Sequence, residues 1–386
     1  MNFFSRRRSI FSLFAACGLL LLGGALYSRT RAQENRETRE IAPGMTLLSV
    51  TTQTPNGPLR YWLVKADKNA AKLALEVADN RDVKQKKSVR DLAAQSNALV
   101  AVNGGFFAYD GAAVGAVKVD GEWHRLPWKS RTALGWNEKE AQIGSLSKSC
   151  ELIVSLEDGT FDTYKAALNG FTLSGTHTSL TDGFAVLTPR FAPKIKLKPD
   201  QSALLVRGRR IAARDLRGEI SWPADVKPTD FLVVMSGKAA LDQPIRGVAW
   251  SIIFGDSDLN RFPNILGAGP LLVRDGVVKT TEIEEEFRPD VVERGPRTAV
   301  GFDANGNWLL LVADGRQAAS VGLTLPQTAH LFQHLGAVQA MNLDGGSSTQ
   351  LVVKGELVNA PSGYDPVNPL RPREVTVSNA LVLKAR

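Results

Sequence analysis

Residues 115–121, Gly-Ala-Val-Lys-Val-Asp-Gly, and residues 271–276, Leu-Leu-Val-Arg-Asp-Gly, each have the pattern of a short β-strand that ends in an Asp-Gly turn. Each is followed by a strand-like segment that begins at an arginine: residues 131–136, Arg-Thr-Ala-Leu-Gly-Trp, and residues 297–302, Arg-Thr-Ala-Val-Gly-Phe. The repetition indicates a sheet unit that occurs twice. Asp-Gly turns are common, however, so an internal duplication and an unrelated pair of hairpins both fit this pattern.

Strand-like segments also dominate the rest of the chain. Runs rich in Val, Leu and aromatic residues, mostly bounded by Gly, Pro, Asn or Asp, predict strands at residues 47–52, 59–66, 72–78, 98–103 and 114–119. Few helices are predicted: Ser88 can cap residues 89–95, and Thr324 can cap a helix that runs to Leu335 and stops at Gly336. The expected fold class is α+β, a β-rich single large domain with mixed or antiparallel sheet and few helices.

The length and the net charge of the chain limit its domain organisation and the kinds of partner it can have. Its 386 residues are 44% apolar, which is enough for a buried core. We expect a leader at residues 1–32, an N-terminal β-rich region at residues 33–95 packed on the main domain, and a main domain at residues 96–386. Lys and Arg outnumber Asp and Glu by 47 to 39, but five of the arginines lie in the leader, so the remainder carries a net charge of only +3. That balance argues against a nucleic-acid partner.

The leader has the pattern of an export signal. Arg6, Arg7 and Arg8 precede an uncharged apolar run at residues 10–27, and the small residue Ala32 follows. The apolar run is longer than that of most signal peptides and only slightly shorter than a membrane span. We therefore expect an exported protein, periplasmic or extracellular, with either a cleaved signal peptide or an N-terminal membrane anchor.

Two glycine-rich turns follow predicted strands and carry polar side chains. The first is Asn103-Gly104-Gly105-Phe106, and the second is Asn342-Leu343-Asp344-Gly345-Gly346-Ser347-Ser348. Glycine lacks a side chain, so a ligand can approach the backbone N–H groups of such turns. The substrate-binding residues expected here are Asn103, Gly104, Gly105, Phe106, Asn342, Gly345, Gly346, Ser347 and Ser348. The alternative is that each turn merely joins two strands.

Between these turns lie an arginine at the start of a strand, Arg297, and a carboxylate at the end of one, Asp314 in Asp314-Gly315-Arg316. Arg can bind a phosphate group in bidentate fashion. A guanidinium, a carboxylate, a carboxamide and exposed amides together suit a sugar phosphate. We therefore expect a carbohydrate or sugar-phosphate substrate, with Asp344, Asp314 and Arg297 as the candidate catalytic residues.

At these motifs the chain resembles the phosphodiester glycosidase family, over roughly residues 95–385. The motifs occur in the family order: Asn103 to Phe107, Gly269-Pro270 with Asp275-Gly276, Arg297 to Gly301, Ala313-Asp314-Gly315, Asn342 to Ser348, and Arg373 with residues 375–383. The chain departs from the family pattern at Ser347, where a third Gly is usual, and at Gln350, where Thr is usual.

The resemblance implies a glycoside hydrolase that cleaves a glycosyl phosphodiester, here in a glycan or an envelope polysaccharide. Because the departing phosphomonoester is already a stable anion, the reaction chiefly needs charge neutralisation and a carboxylate near C1. We expect Arg297 to bind the phosphate, amides around Gly104 and Gly345 to bind oxygen atoms, and Asp344 or Asp314 to act as nucleophile or general base. Arg373 joins the expected substrate-binding residues.

The competing hypothesis is a noncatalytic envelope or exopolysaccharide-binding protein with the same fold. It predicts an exposed aromatic stripe drawn from the seven Trp residues, whereas the enzyme hypothesis predicts that Asp344, Asp314 and Arg297 converge in one cleft. His330 and His334 lack a third ligand nearby and indicate a solvated helix face, so we expect no metal and no cofactor. The acidic run Glu282–Glu286 indicates a solvated loop or strand edge.

Overall fold

The computed structural model describes residues 34–127, 129–146, 150–169, 183–236, 249–254, 258–363 and 373–386. The predicted leader lies outside these residues. Among the residues described, no helix is long and apolar enough to cross a membrane.

The described part of the chain consists mainly of short strands. In chain order they are β1 (Asn35–Ala42), β2 (Met45–Thr54), β3 (Gly57–Ala66), β4 (Ala71–Val77), β5 (Val100–Asn103), β6 (Val117–Val119), β7 (Glu122–Arg125), β8 (Arg131–Trp136), β9 (Ala141–Leu146), β10 (Cys150–Ser155), β11 (Phe161–Leu168), β12 (Gly183–Leu187), β13 (Lys194–Lys196), β14 (Gln201–Arg207), β15 (Arg210–Leu216), β16 (Glu219–Ser221), β17 (Phe231–Ser236), β18 (Ala249–Phe254), β19 (Asn264–Gly267), β20 (Leu271–Arg274), β21 (Val277–Val278), β22 (Arg297–Asp303), β23 (Trp308–Ala313), β24 (Ala337–Asn342), β25 (Leu351–Val353), β26 (Glu356–Leu357) and β27 (Asn379–Ala385). The helices are α1 (Val89–Gln95), α2 (Pro289–Val292) and α3 (Leu325–His334), and single 3-10 turns lie at Asp258–Arg261 and Gly346–Ser348.

The two predicted helices are confirmed, together with their caps. The Asp91 N–H donates to Ser88 Oγ at the start of α1, with the two atoms 3.0 Å apart. At the start of α3, the Gln327 N–H donates to Thr324 Oγ1 and the Thr324 N–H donates to Gln327 Oε1, which completes a capping box. Gly336 follows α3 with φ +80°, as a glycine stop requires.

The strands form several largely antiparallel sheets, which confirms the β-rich α+β prediction. The sheet orders are β1-β2-β3-β23-β22-β24-β20-β21, β15-β14-β17-β12-β11-β10-β18, β7-β6-β19-β8-β9, β26-β25-β5-β27-β4 and β13-β16. β11 and β12 form a parallel pair within the second of these sheets. β3 pairs with β23 and β4 with β27, so the N-terminal region contributes strands to the sheets of the main domain.

Three sets of five strands share one arrangement, so the repeated unit occurs three times rather than twice. The sets are β7-β6-β19-β8-β9, β21-β20-β24-β22-β23 and β26-β25-β5-β27-β4. In each set the first two strands form a hairpin, and the third, central strand is distant from that hairpin in sequence. The three hairpin turns are Asp120-Gly121, Asp275-Gly276 and Lys354-Gly355, and every one of these residues has positive φ.

The register of the central strands agrees in all three units. Their last residues, Gly267, Asn342 and Asn103, lie opposite Ala133, Ala299 and Ala380. The next backbone N–H donates to the same carbonyl position each time: Ala268 to Thr132 at 3.1 Å, Leu343 to Thr298 at 2.9 Å, and Gly104 to Asn379 at 2.9 Å. The three central strands therefore end at equivalent positions of their units. The strand that ends at Asn342 is followed closely by Asp344.

One buried cluster joins the three units. Its members come from all three central strands and from their neighbours, and include Val102, Leu134, Leu266, Val300, Met341 and Leu381. The sheet of β10–β18 is inserted between β9 and β19 and packs on a second cluster that contains Trp123, Leu146 and Phe262. The insertion therefore rests on the outside of one unit and leaves the shared core intact.

Two strand glycines provide a test of the packing within the unit β7-β6-β19-β8-β9. A Cβ atom added to Gly267 would lie 2.4 Å from the Ala116 backbone nitrogen, whereas one added to Gly144 meets no heavy atom closer than 3.9 Å. We expect Gly267→Ala to lower the free energy of unfolding by about 1–3 kcal/mol or more, because backbone must move. Gly144→Ala should change it by less than about 1 kcal/mol. Urea denaturation of both variants measures this, and equal effects would contradict the described contact between Gly267 and Ala116.

Candidate active site

A cavity of about 580 Å³ opens where β22 begins and β24 ends. Of the predicted site residues, those that line it are Phe106, Arg297, Asn342, Asp344, Gly345, Gly346, Ser347 and Ser348. The structure does not bring Asn103, Gly104, Gly105, Asp314 or Arg373 to its surface. The predicted convergence is therefore incomplete, with Asp344 and Arg297 together but Asp314 elsewhere.

Asp344 is the cavity carboxylate most removed from water. Desolvation raises the pKa of Asp344 to about 6, although bonds from the Ser348 hydroxyl and the Gly345 N–H oppose this shift. The Gly345 nitrogen lies 2.9 Å from Asp344 Oδ1. Asp344 thus combines a fixed orientation with a pKa close to neutrality, which suits a proton-transfer group.

Asn103 holds the backbone of Asp344 in place. Its Nδ2 donates to the Asp344 carbonyl at 2.6 Å. Its Oδ1 accepts from Thr298 Oγ1 at 2.7 Å and from the Gln350 N–H at 3.1 Å. The side chain is buried and both of its polar atoms are hydrogen-bonded, so Asn103 positions the acidic turn, and it does not line the cavity.

The glycines after Asn103 are required by protein packing. The Gly104 N–H donates to the Asn379 carbonyl at 2.9 Å, and the Gly105 N–H donates to Asn379 Oδ1 at 2.9 Å. A Cβ atom on Gly104 would lie 2.0 Å from Asn379 Oδ1. Both amides are therefore already bonded, and the expectation that amides around Gly104 bind substrate oxygen is not supported by this geometry.

Asn342 retains an unused acceptor at the cavity. Its Nδ2 donates to the carbonyl groups of Gly269 and Leu343, at 3.1 and 2.6 Å. Its buried Oδ1 has no hydrogen-bond partner among the described residues. Asn342 thus keeps one unpaired polar atom in the interior beside the acidic turn.

Asp314 has a structural environment. Its carboxylate accepts from Asn359 Nδ2 at 2.9 Å and from the Ala360 N–H, whose nitrogen lies 3.2 and 3.1 Å from the two carboxylate oxygens. Burial raises the pKa of Asp314, and these bonds oppose the shift. Asp314 therefore fastens the chain near residue 360 and does not line the cavity.

Arg297 lines the cavity, but its guanidinium is bonded to the protein backbone. Nε donates to the Leu323 carbonyl at 3.0 Å, and the two terminal nitrogens donate to the carbonyls of Val291 and Glu293. Burial, with Arg316 nearby, lowers the pKa of Arg297 to about 10. The predicted bidentate grip on phosphate would require Arg297 to give up these bonds.

Arg131 stands at the equivalent position of another unit and makes similar bonds. Its Nε and Nη2 donate to the carbonyls of Glu285 and Glu286, both at 3.2 Å. Its guanidinium also stacks over the Phe287 ring, 3.9 Å from the centroid. Both arginines thus fasten one stretch of chain, residues 281–293, which we call the wall segment because several of its residues line the cavity.

The acidic run within the wall segment is only partly solvated. Glu285 is buried, and its carboxylate accepts from the Thr132 N–H at 2.9 Å, from Thr132 Oγ1 at 2.6 Å and from the Thr281 hydroxyl. The prediction of a solvated loop is therefore wrong for Glu285, although Glu284 and Glu286 are exposed. Glu285 anchors the wall segment from inside, because a buried carboxylate needs such donors.

Arg316 also lines the cavity, although sequence reasoning did not select it. It is exposed, has φ +59°, and has no hydrogen-bond or ion-pair partner among the described residues. Its guanidinium lies above Gly346, where an added Cβ atom would be 3.1 Å from Nη1. The signal available in the sequence was its place directly after Asp314-Gly315 at the end of a strand.

The remaining predicted groups lie away from the cavity. Arg373 is exposed, and its backbone forms isolated β-bridges with Ser362 and Gly363. Gln350 is buried, and its Nε2 donates to the Val375 carbonyl at 2.9 Å, so this departure from the family pattern fills an interior position. His330 and His334 are exposed on α3, as the solvated-face interpretation predicts. No cluster of three or more metal-binding side chains occurs among the residues described.

The aromatic stripe of the binding-protein hypothesis is not formed by the described tryptophans. Trp128 lies outside the described residues, and Trp222 is half-buried. The other five are buried: Trp62, Trp123, Trp136, Trp250 and Trp308. They belong to the core and offer little surface for stacking against a glycan.

Comparison with known proteins agrees with the family resemblance. Residues 197–384 match the phosphodiester glycosidase family model. The chain is 33% identical over 129 residues to the N-acetylglucosamine-1-phosphodiester alpha-N-acetylglucosaminidase of Mus musculus, and 32% identical over 128 residues to that of Homo sapiens. These matches cover 31% and 30% of this chain but only about a quarter of either relative. The resemblance to the phosphodiester glycosidase family is confirmed.

Two solved structures share the fold over most of the chain. A hypothetical protein from Synechocystis superposes with a TM-score of 0.73 at 25% identity, covering 91% of this chain and 64% of that one. A protein of Burkholderia pseudomallei K96243, whose name describes it as exported, superposes with a TM-score of 0.68 at 18% identity, covering 92% and 97%. The second likeness concerns the fold alone.

Two of the arginines that line the cavity, Arg297 and Arg316, should respond differently to truncation. Arg297→Ala leaves three backbone carbonyls without their buried donor, so we expect the free energy of unfolding to fall by roughly 2–5 kcal/mol. Arg316→Ala removes an exposed side chain and should change it by no more than about 0.5 kcal/mol. Urea denaturation followed by circular dichroism measures both. Wild-type stability in Arg297→Ala would show that its guanidinium is free to serve a ligand.

Proposed function

We propose that this chain is an exported hydrolase that cleaves a sugar phosphodiester at the glycosidic carbon. The observation that carries the proposal is the pairing, in one cavity, of a carboxylate of raised pKa, Asp344, with an arginine that has no protein partner among the described residues, Arg316. The confirmed family resemblance supports the same reaction class. The names of the mammalian relatives describe hydrolysis of a phosphodiester-linked sugar. We propose the same class of reaction for this chain.

Arg316 supplies the charge neutralisation that the substrate needs. It lies close enough to Arg297 to lower the pKa of that guanidinium, so the cavity holds two neighbouring cationic groups. Arg297 is bonded to backbone carbonyls, which leaves Arg316 as the group able to turn towards a phosphate. The phosphate then sits beside the Gly345-Gly346 turn, above which the Arg316 guanidinium lies.

Asp344 acts as the general base in this proposal. Its carboxylate removes a proton from a water molecule, and the water oxygen forms a bond to C1 of the sugar. The bond between C1 and the phosphate oxygen breaks, and its electron pair stays on that oxygen beside Arg316. The products are the free sugar and a phosphomonoester, and the proton on Asp344 returns to solvent. A pKa of about 6 leaves Asp344 largely ionised at neutral pH while keeping it basic enough to accept the proton.

Apolar side chains also line the cavity. Phe106, Phe287, Val114 and Val291 line it, and the Phe106 and Phe287 rings lie 5.7 Å apart between centroids. Such rings pack well against the C–H faces of a sugar ring. A guanidinium, Arg316, and these apolar side chains in one cavity together suit a molecule that joins an anion to a sugar.

The leader and the mild charge of the remaining chain favour an envelope or extracellular glycan as the natural substrate. The export named for the Burkholderia relative is consistent with this setting. A noncatalytic glycan-binding protein of the same fold is the alternative. The buried tryptophans and the orientation of Asp344 favour the enzyme over that alternative.

The substrate class is tested by a parallel assay on α-N-acetylglucosaminyl phosphate esters and on aryl glycosides without phosphate. We expect release of free sugar from the phosphate esters alone, because Arg316 has no anion to bind in the others. Arg316→Ala should lower kcat/KM for the esters by roughly 10- to 100-fold, the usual effect of losing a hydrogen bond to a charged group. A wild-type protein that retains glycans on a column and hydrolyses neither panel would support the binding alternative.

The role of Asp344 is tested by Asp344→Asn, which keeps the size of the side chain and removes the base. We expect turnover to fall by a factor on the order of 10² to 10⁴. In the wild type, kcat/KM should fall as the pH drops below about 6, because protonated Asp344 cannot accept a proton, and the variant should lack this limb.

Stability should show the opposite dependence on pH. The folded state binds the Asp344 proton more tightly than the unfolded chain does, so the corresponding stability is present at low pH and is lost as the pH rises through about 6. The melting temperature of Asp344→Asn minus that of the wild type should therefore be larger at pH 8 than at pH 5. Asp314→Asn is the matched control, with a lower melting temperature and near-normal turnover per folded molecule. Normal turnover in Asp344→Asn would remove it as the base.

A further inference from the structure

The wall segment carries three acidic side chains that line the cavity, and two of them form ion pairs. Those that line it are Glu286, Asp290 and Glu293. Glu286 forms an ion pair with Lys129, and Asp290 forms one with Arg288. The Glu293 carboxylate has no hydrogen-bond or ion-pair partner among the described residues, although its side chain is exposed at the cavity.

The backbone of Glu293 is nevertheless fixed. α2 ends at Val292, and the Glu293 N–H donates to the Pro289 carbonyl at 3.1 Å. The Glu293 carbonyl accepts from the buried guanidinium of Arg297, as does the carbonyl of Val291. An unpaired carboxylate therefore projects from an anchored stretch of backbone, which limits the entropy lost when a ligand binds it.

Basic and acidic side chains both line the cavity. The Arg316 guanidinium lies above Gly346 and near Gly295, and Glu293 lies two residues before Gly295, just after α2. A phosphate is attracted to the first group and repelled by the second. A carboxylate, which only accepts hydrogen bonds, suits the hydroxyl groups of an uncharged sugar and disfavours a sugar that bears its own carboxylate.

We propose that Glu293 is a specificity-determining residue that binds hydroxyl groups of a neutral sugar ring and thereby selects neutral glycosyl phosphodiesters over those of uronic acids. The inference rests on the proposed function and adds to it the orientation and class of the sugar. The phosphate lies against Arg316, C1 lies near Asp344, and the hydroxyl-bearing part of the ring reaches Glu293. Glu293 takes no part in bond breaking.

The test compares Glu293→Gln with Glu284→Gln, a matched control on the same segment whose exposed side chain does not line the cavity. Substrates are an α-N-acetylglucosaminyl phosphate ester, its monodeoxy analogues and the corresponding glucuronyl phosphate ester. Binding is also measured by calorimetry with the non-hydrolysable phosphonate analogue of the first. Melting temperatures check folding, which the substitution should leave unchanged because the Arg297 bond is to the Glu293 backbone.

We expect Glu293→Gln to raise KM, and the Kd of the phosphonate, by roughly 10- to 100-fold with kcat within about threefold of the wild type, as for loss of a charge-assisted hydrogen bond. One deoxy analogue should bind the wild type as weakly as the variant binds the full sugar, and the variant should lose nothing further with it. The glucuronyl ester should be a poor substrate for the wild type and a better one for the variant.

Different failures are separable in this design. If the wild type hydrolyses the neutral ester and Glu293→Gln matches Glu284→Gln on every substrate, the inference is overturned while the proposed function stands. A fall in kcat with unchanged KM would also overturn it, because Glu293 would then act in the transition state. If the wild type hydrolyses none of the esters, the proposed function itself is wrong.

Discussion

The bonds of the Asn103 side chain hold the candidate site together. One carboxamide links the end of β5 to the Asp344 carbonyl, to the Thr298 hydroxyl at the start of β22, and to the Gln350 backbone before β25. All three partners would be costly to leave unsatisfied in a buried place. The orientation of the only strongly desolvated cavity carboxylate among the described residues thus depends on a residue that does not line the cavity.

Several charged side chains near the cavity are bonded within the protein and hold the wall segment in place. Arg131 and Arg297, at equivalent positions of two units, both turn their guanidinium groups onto carbonyls of the wall segment, and Glu285 fastens the same segment from the other side. Burying these groups is tolerable because each finds several partners. One wall of the cavity is therefore set by contacts that lie beneath its surface, which separates the residues that shape the cavity from those that face it.

The sequence predicts local features well where the signal itself is local. The caps at Ser88 and Thr324 depend on neighbouring residues, and both helices begin where expected. The third sheet unit was missed because Ser378-Asn379 replaces the Arg-Thr pair and because its strands β4 and β27 come from opposite parts of the chain. Asp344 was found from its glycine turn, whereas the bonds of the Arg297 guanidinium could not be predicted, because the carbonyls that accept them come from residues 291, 293 and 323. Only tertiary structure shows which of two arginines is already bonded.

The separation in sequence between the strands of one unit has a consequence for how the chain is made. Each central strand is separated in sequence from the hairpin beside it, and the third unit needs β27, at residues 379–385, to pair with both β4 and β5. A ribosome must therefore finish almost the whole polypeptide before Leu73, Val102 and Leu381 can meet in the shared cluster. Until then several strand edges stay open, so the nascent protein spends its synthesis without a completed core and depends on late, long-range closure to become compact.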